Sequence, residues 1–327
     1  MTRRQWLTRL CVAAATRPFA VRAQQPLKVA HVGYLSAGTP ATAGAFLAAL
    51  KDGLRDLGYV DGRNIVIDVR WAGDSAGNFP QLAATLVRER PSAIIGTCIP
   101  STRAAKNATT DIPVVMSVDG DPVASGLVAS LARPGGNVTG TSTLFEELIP
   151  KWLELLHAAV PGARDIAILS NPTNVADPFF TARFEDAASR IGVKALRIEA
   201  STPSELPDAF AAMKSQGAGA LVVMTEAFFA SQVPQIVSLA GRDRMPAIYG
   251  YREFSEAGGL MSYGLSYREY FKRVARYLDA VLKGVRPADL PVEQPTKIEL
   301  VINLATARKL GINVPLPLLV RADRVIE

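Results

Sequence analysis

Residues 28–36, KVAHVGYLS, followed by an amphipathic stretch at Ala43–Leu57, decide the fold of this 327-residue chain. The first run is short, apolar and β-branched, without the polar alternation of a half-buried strand, which marks a strand covered on both faces. In the second stretch Phe46, Leu47, Leu50, Leu54 and Leu57 recur on one helical face, and Gly58 ends it. The unit then repeats: strand Asn64–Trp71, helix Pro80–Arg90, strand Ala93–Cys98, a helix near Thr102–Ala108, and strand Pro113–Val118. Such βα repetition predicts a parallel sheet with helices on both faces, complete by about Thr143.

The rhythm restarts after a glycine-rich stretch, Pro134-Gly135-Gly136-Asn137. Helix Ile149–Val160 leads to the buried strand DIAILSN (Asp165–Asn171). Helix Phe179–Ile191, strand Ala195–Ala200, helix Ser204–Gln216, strand Ala220–Thr225, helix Ser231–Arg242 and strand Ala247–Tyr251 follow. A long helix, Tyr267–Leu282, and a strand–helix unit, Ile298–Leu310, make up the tail. The expectation is α/β: two Rossmann-like lobes with parallel sheets and a cleft between them.

The N-terminus reads differently. Arg3 and Arg4 open a basic region, Leu10–Ala15 is a modest apolar run, and Val21-Arg22-Ala23 is a small-residue cleavage site. This is the pattern of a signal peptide over residues 1–23, and it implies an exported, periplasmic protein. Thr2-Arg3-Arg4-Gln5-Trp6-Leu7 resembles a twin-arginine signal; an ordinary secretory signal with two arginines is the alternative.

Composition shifts once that segment is set aside. The chain has 36 basic and 30 acidic side chains, and five of the arginines lie in the signal, leaving 31 against 30. A near-neutral mature chain gives no basis for nucleic-acid binding. Cys11 departs with the signal, so Cys98 has no intramolecular disulfide partner. No later run is long and apolar enough for a membrane helix, so no stable membrane insertion is expected.

Enzyme signatures are missing. There is no G-x-x-x-x-G-K-[ST], the turn Gly33-Tyr34-Leu35-Ser36-Ala37-Gly38 lacks dinucleotide spacing, and no G-x-S-x-G occurs. His31 reads as strand packing and His157 as helix surface, which argues against a Cys/His metal site and for no cofactor.

Polar loops at the C-terminal ends of strands remain, the edge where open α/β sheets bind ligands. They supply the candidate ligand-binding residues: Ser36 and Thr39; Thr97, Ser101 and Thr102; Asp119; Asn171; Glu226; Tyr249 and Tyr251. The Thr97–Thr102 loop precedes a helix whose N-terminal dipole would favour a carboxylate, and plain capping by Ser101 or Thr102 is the alternative. Asp119, Asp121 and Glu226 would suit a ligand ammonium, although Asp121-Pro122 also reads as a turn. Tyr249 and Tyr251 would cover a ligand or pack.

Four segments carry a family resemblance: ASLARPGGNVTG (129–140), YGYREF (249–254) with EAGGLMSYG (256–264), LPVEQPTK (290–297) and LGYVDGRN (57–64). They resemble the substrate-binding proteins of ABC importers related to tryptophan/tyrosine-binding proteins. The resemblance implies a type I periplasmic-binding fold with flavodoxin-like lobes and several hinge crossings. One lobe would comprise 27–143 plus about 262–290, the other 144–261 plus about 291–327. It also implies a membrane permease and ATPase as partners, and a carboxylate held by the hydroxyl-bearing loop at Thr97–Thr102. In that loop, where small or hydroxyl residues are ordinary, this chain carries Cys98-Ile99.

The expected function is capture of a small polar solute, an amino acid (aromatic ones included) or an organic acid, by hinge closure and without chemistry. A Rossmann-like enzyme using Asp119 and Glu226 as an acid/base pair, or an exported sensing subunit, are the alternatives.

Overall fold

Two sheets organise the chain. The computed structural model describes residues 29–73, 75–295 and 297–327; the expected signal segment, its cleavage site and Lys28 lie outside these. The first sheet has strand order β2-β1-β3-β4-β5, all parallel: β1 (Ala30–Ser36), β2 (Ile65–Trp71), β3 (Ala93–Gly96), β4 (Val114–Asp119) and β5 (Val138–Thr143). β1 is central, with Gly33 opposite Asp68 on one side and Ile94 on the other. Its last five residues are buried, which explains the lack of alternation in KVAHVGYLS.

The strand β5 was not expected. Its sequence VTGTST is hydroxyl-rich, yet all six residues are buried. β-branched threonines suit a strand once their hydroxyls have partners. Thr139 Oγ1 donates to the Leu290 carbonyl at 2.6 Å, and Thr143 Oγ1 to Asp119 Oδ1 at 2.9 Å. Gly140 lets the neighbouring strand approach, since a Cβ there would lie 2.2 Å from the Met116 carbonyl oxygen.

The second sheet has the order β12-β11-β10-β9-β8-β6-β7. It contains β6 (Asp165–Ser170), β7 (Lys194–Glu199), β8 (Ala220–Val223), β9 (Ala247–Tyr251), β10 (Met261–Leu265), β11 (Glu299–Asn303) and β12 (Arg324–Ile326). β6 to β10 run parallel, whereas β11 pairs antiparallel with β10, Met261 opposite Ile302. The reversal follows from connectivity. The chain reaches β11 from the first sheet on the cleft side, where the parallel strands end, so it must run the other way.

The helix expected over Ser231–Arg242 starts at Val233, and a separate short helix, Ala227–Ser231, precedes it. Pro234 has no N–H to offer the Ala230 carbonyl, and Gln232 marks the break. Periodicity also did not resolve the short helix Arg252–Glu256 or β10, which flank Gly258-Gly259.

Helix Tyr267–Leu282 returns to the first sheet and packs on helix Pro40–Asp56. The axes come close at Gly53, where a Cβ would sit 2.8 Å from the Lys272 Cα. Beyond it, Glu293 bridges to Thr141 of β5, with Glu293 N–H donating to the Gly140 carbonyl at 3.0 Å. The chain therefore passes between the sheets at Thr143–Phe145, at Leu265–Ser266 and after Gln294. The second passage falls after β10, which pairs with β9 in the second sheet, whereas Val292 and Glu293 stay with the first, donating to the Leu131 and Gly140 carbonyls.

Buried apolar side chains fill both layers around each sheet. Trp152 is the largest fully buried one, and its indole Nε1–H donates to the Tyr263 carbonyl at 2.6 Å. Burying each such large apolar side chain stabilises by roughly 1.5–3 kcal/mol.

Candidate functional site

The parallel strands of both sheets, β1–β5 and β6–β10, end at one cavity of about 380 Å³ between the lobes. From the first lobe it receives Ser36 at the end of β1, Thr97 and Cys98 after β3, Asp119 at the end of β4 and Thr143 at the end of β5. The second lobe contributes Asn171 after β6, Ser201 after β7, Thr225 and Glu226 after β8, and Tyr251 at the end of β9. The geometry is that of two open α/β sheets facing each other across their ligand-binding edges.

Of the ten residues expected from sequence, Ser36, Thr97, Asp119, Asn171, Glu226 and Tyr251 line this cavity. Four do not. Thr39 is the N-cap of helix Pro40–Asp56, its N–H donating to Thr42 Oγ1 at 2.8 Å; Thr42 lines the cavity instead. Ser101 and Thr102 are fully buried in the first turn of helix Ile99–Ala108, beneath β3. Gly96 has no Cβ because it would lie 2.4 Å from Thr102 Oγ1. Tyr249 lies roughly 6–7 Å further back along β9 than Tyr251, stacked on Phe254 with centroids 4.5 Å apart. Asp121, also considered, is spent on its own turn, accepting from Val123 N–H at 2.7 Å.

The expected anion site at Thr97–Thr102 has most of its polar groups engaged. Cys98 N–H donates to Ser101 Oγ at 3.0 Å, and Ser101 Oγ donates in turn to the Cys98 carbonyl at 3.0 Å. Pro100 has no N–H, and Thr97 Oγ1 donates to Ser36 Oγ at 2.9 Å.

The two carboxyls stand out by contrast. Asp119 Oδ1 accepts from Thr143 Oγ1 at 2.9 Å and Phe145 N–H at 3.1 Å, while Oδ2 has no partner among the described residues. Glu226 Oε2 accepts from Asn171 Nδ2 at 3.2 Å and Asn174 Nδ2 at 3.1 Å, and Oε1 has none. Burial, then the neighbouring Glu146 carboxylate, push Asp119 up to about 7. Burial pushes Glu226 up to about 8, although the Asn171 and Asn174 amides pull it back.

Aromatic side chains make the remaining walls. Phe46 lies edge-on to Tyr251 at 6.2 Å and against Phe271 at 4.8 Å, and Phe145 meets Tyr251 at 5.4 Å. Sequence reading assigned Phe46 and Phe271 to helix faces packed in the core, and missed Phe145, Phe180, Phe228 and Tyr270. An apolar helix position gives the same signal whether it faces core or cavity. Asn174 had a weak signal of its own, lying three residues from Asn171 in a polar loop.

His31 lies with Asp68 and Glu89, ligand atoms within 4.8 Å of one another, on a side remote from the cavity. Arg70 reaches Asp68 at 2.7 Å and Glu89 at 2.9 Å, and already supplies that cluster's positive charge.

The fold and the cavity define a two-lobed α/β substrate-binding protein of type I architecture. The chain belongs to the family described as ABC transporter substrate binding protein, whose model matches residues 42–326. It is 32% identical over 257 residues to the tyrosine-binding protein of Clostridioides difficile, covering 79% of this chain and 74% of that one. A solved ABC domain from Streptococcus pneumonia in complex with L-Trp is 27% identical with a TM-score of 0.70, covering 91% of this chain and 99% of that one. A ligand-free, open substrate-binding protein with adhesive properties from Clostridium difficile is also 27% identical over the same shares, with a TM-score of 0.54. Among the described residues no helix is long and apolar enough to cross a membrane.

Proposed function

We propose that this protein is the extracytoplasmic solute-binding component of an ABC importer. It captures a small solute bearing an ammonium group and an apolar body by closure of its two lobes, and presents it to a permease with its ATPase. The observation that carries the reading is the cavity itself: aromatic walls with one incompletely partnered carboxyl from each lobe, Asp119 and Glu226. The relatives named for tyrosine and bound to L-Trp support an aromatic solute.

Closure has its own support. The lobes, 30–143 with 266–294 and 144–265 with 297–327, meet at the cavity rim, where Ala45 N–H donates to Ser231 Oγ at 3.4 Å and Phe46 meets Tyr251. At equal identity, the arrangement is nearer the L-Trp complex than the open relative, 0.70 against 0.54. Ligand binding selects the closed form when its contacts span both lobes.

The test is capture from a metabolite extract, followed by denaturation, mass spectrometry of the released solute, and small-angle scattering with and without it. A stoichiometric solute, recovered unchanged and contracting the protein, supports the reading. Recovery of a transformed product would favour an acid–base enzyme acting through Asp119 and Glu226. No captured solute at all would remove the solute-binding reading.

A further inference from the structure

Away from the chain passages the two lobes meet mainly at one place. Helix Pro40–Asp56 of the first lobe packs on the short helix Ala227–Ser231 of the second. Among the described residues, no other pair of helices or strands from opposite lobes packs as closely. Ala45 N–H donates to Ser231 Oγ at 3.4 Å, and away from the passages this is the one hydrogen bond between the lobes among those residues. No ion pair among them crosses from lobe to lobe.

The residue types suit a contact that opens. PATAGAFLAA (40–49) begins the first helix and AFFAS (227–231) forms the second. Short side chains leave a helix backbone within reach, so a serine hydroxyl can touch an N–H inside the helix. With a single long hydrogen bond and no ion pair, few polar groups change partners when the helices part.

The contact is also continuous with the cavity. Thr42, Ala45, Phe46 and Ala49 recur at i, i+3, i+4 and i+7, one face of the helix. Thr42 and Phe46 line the cavity, as do Ala227 and Phe228 of the opposing helix, which follows directly on Glu226. A solute in the cavity therefore packs on the same two helices that touch each other beside it.

We propose that this helix pair is the latch of the closed form, seated on Ala45 and Ser231, and that it sets how firmly a captured solute is retained. This rests on the closure reading and names what regulates it. A wedge in the latch leaves the cavity side chains in place yet lowers the closed fraction, and apparent affinity falls in proportion to that fraction.

The experiment uses the full chain with Cys11→Ser and Cys98→Ser, carrying Ala45→Cys and Ser231→Cys. Positions in hydrogen-bond contact are near enough to be joined by a disulfide. Mild oxidation of the ligand-free protein should join them, and the oxidised form should have a smaller radius of gyration by small-angle scattering than the reduced form. Failure to join would mean that the helices do not meet in solution, and equal radii that they never part; either result overturns the latch. Retention is read separately. After gel filtration, Ala45→Leu should hold at least tenfold less solute from the metabolite extract than the parent. Ala48→Leu, the same change at an exposed position of the same helix, should hold as much as the parent, with unchanged circular dichroism spectra for both. Equal retention by the two variants would also overturn the latch. A parent that retains nothing removes the solute-binding reading, and the disulfide result then decides the latch by itself.

Discussion

Gly264 lies directly against the backbone of Gly250: a Cβ on Gly264 would be 1.8 Å from the Gly250 carbonyl oxygen. Gly250 is equally constrained, since its own Cβ would fall 2.0 Å from Thr225 Cγ2 and 2.8 Å from Trp152 Cζ2. Neither glycine has a positive φ, so space alone requires them. They sit where the β9–β10 register shifts between Ser262 and Leu265, just behind the cavity wall formed by Tyr251 and Thr225.

Gly264→Ala should therefore destabilise the protein by about 3 kcal/mol or prevent folding, because backbone must move to admit the methyl. Gly241→Ala is the control. It lies in helix Val233–Arg242 with nothing within 4 Å of its Cβ position, and should stabilise by up to about 1 kcal/mol. Urea denaturation measures both, and equal midpoints for the two variants would contradict the packing argument.

Stability of the ligand-free protein should fall as pH rises from 5 to 9. Asp119 and Glu226 are raised to about 7 and about 8, above their unfolded values, so the folded state keeps protons that the unfolded chain has released. Their contribution is full below about pH 4 and is lost as pH passes through 7 and then 8. The double variant Asp119→Asn, Glu226→Gln should flatten this slope relative to the parent. Parallel pH profiles for the two proteins would show that these groups are not perturbed as described.

Glu253 ties the second passage between the lobes. Its Oε1 accepts from the Ser266 hydroxyl at 2.6 Å and Arg268 N–H at 3.3 Å, and Oε2 from Tyr267 N–H at 3.4 Å. It is thereby an acceptor at the N-terminus of helix Tyr267–Leu282, reaching from the other lobe. Glu253→Ala strands these donors and should cost about 2–3 kcal/mol; Glu253→Gln, which keeps an acceptor, should cost less. Identical losses for both variants would rule out this role.

Cys98 offers a direct reporter of occupancy, because it lines the cavity and burial pushes its thiol up. With Cys11→Ser removing the second cysteine, alkylation by iodoacetamide should be slow, quicken with pH, and slow several-fold further with saturating ligand. An unchanged rate on adding a ligand proven to bind would move the ligand away from helix Ile99–Ala108.

The sequence by itself determined the βα rhythm, its restart near Asp165 and the strand ends where polar residues gather. Those features depend on periodicity and burial, which a strand covered on both faces writes directly into its residue types. It could not reveal β5, because threonines read as loop until Asp119 and Leu290 are seen to take their hydroxyl protons. Nor could it separate Ser101 and Thr102, consumed beneath β3, from Thr97 at the cavity wall. Capping and ligand contact call for the same residue types, and only tertiary structure decides which partner is nearer. The same limit holds for Phe46 and Phe271, whose helical spacing means burial but does not say against what. Asp119 and Glu226, over 100 residues apart in sequence, become one site only because two sheets end their strands on opposite sides of a single cavity.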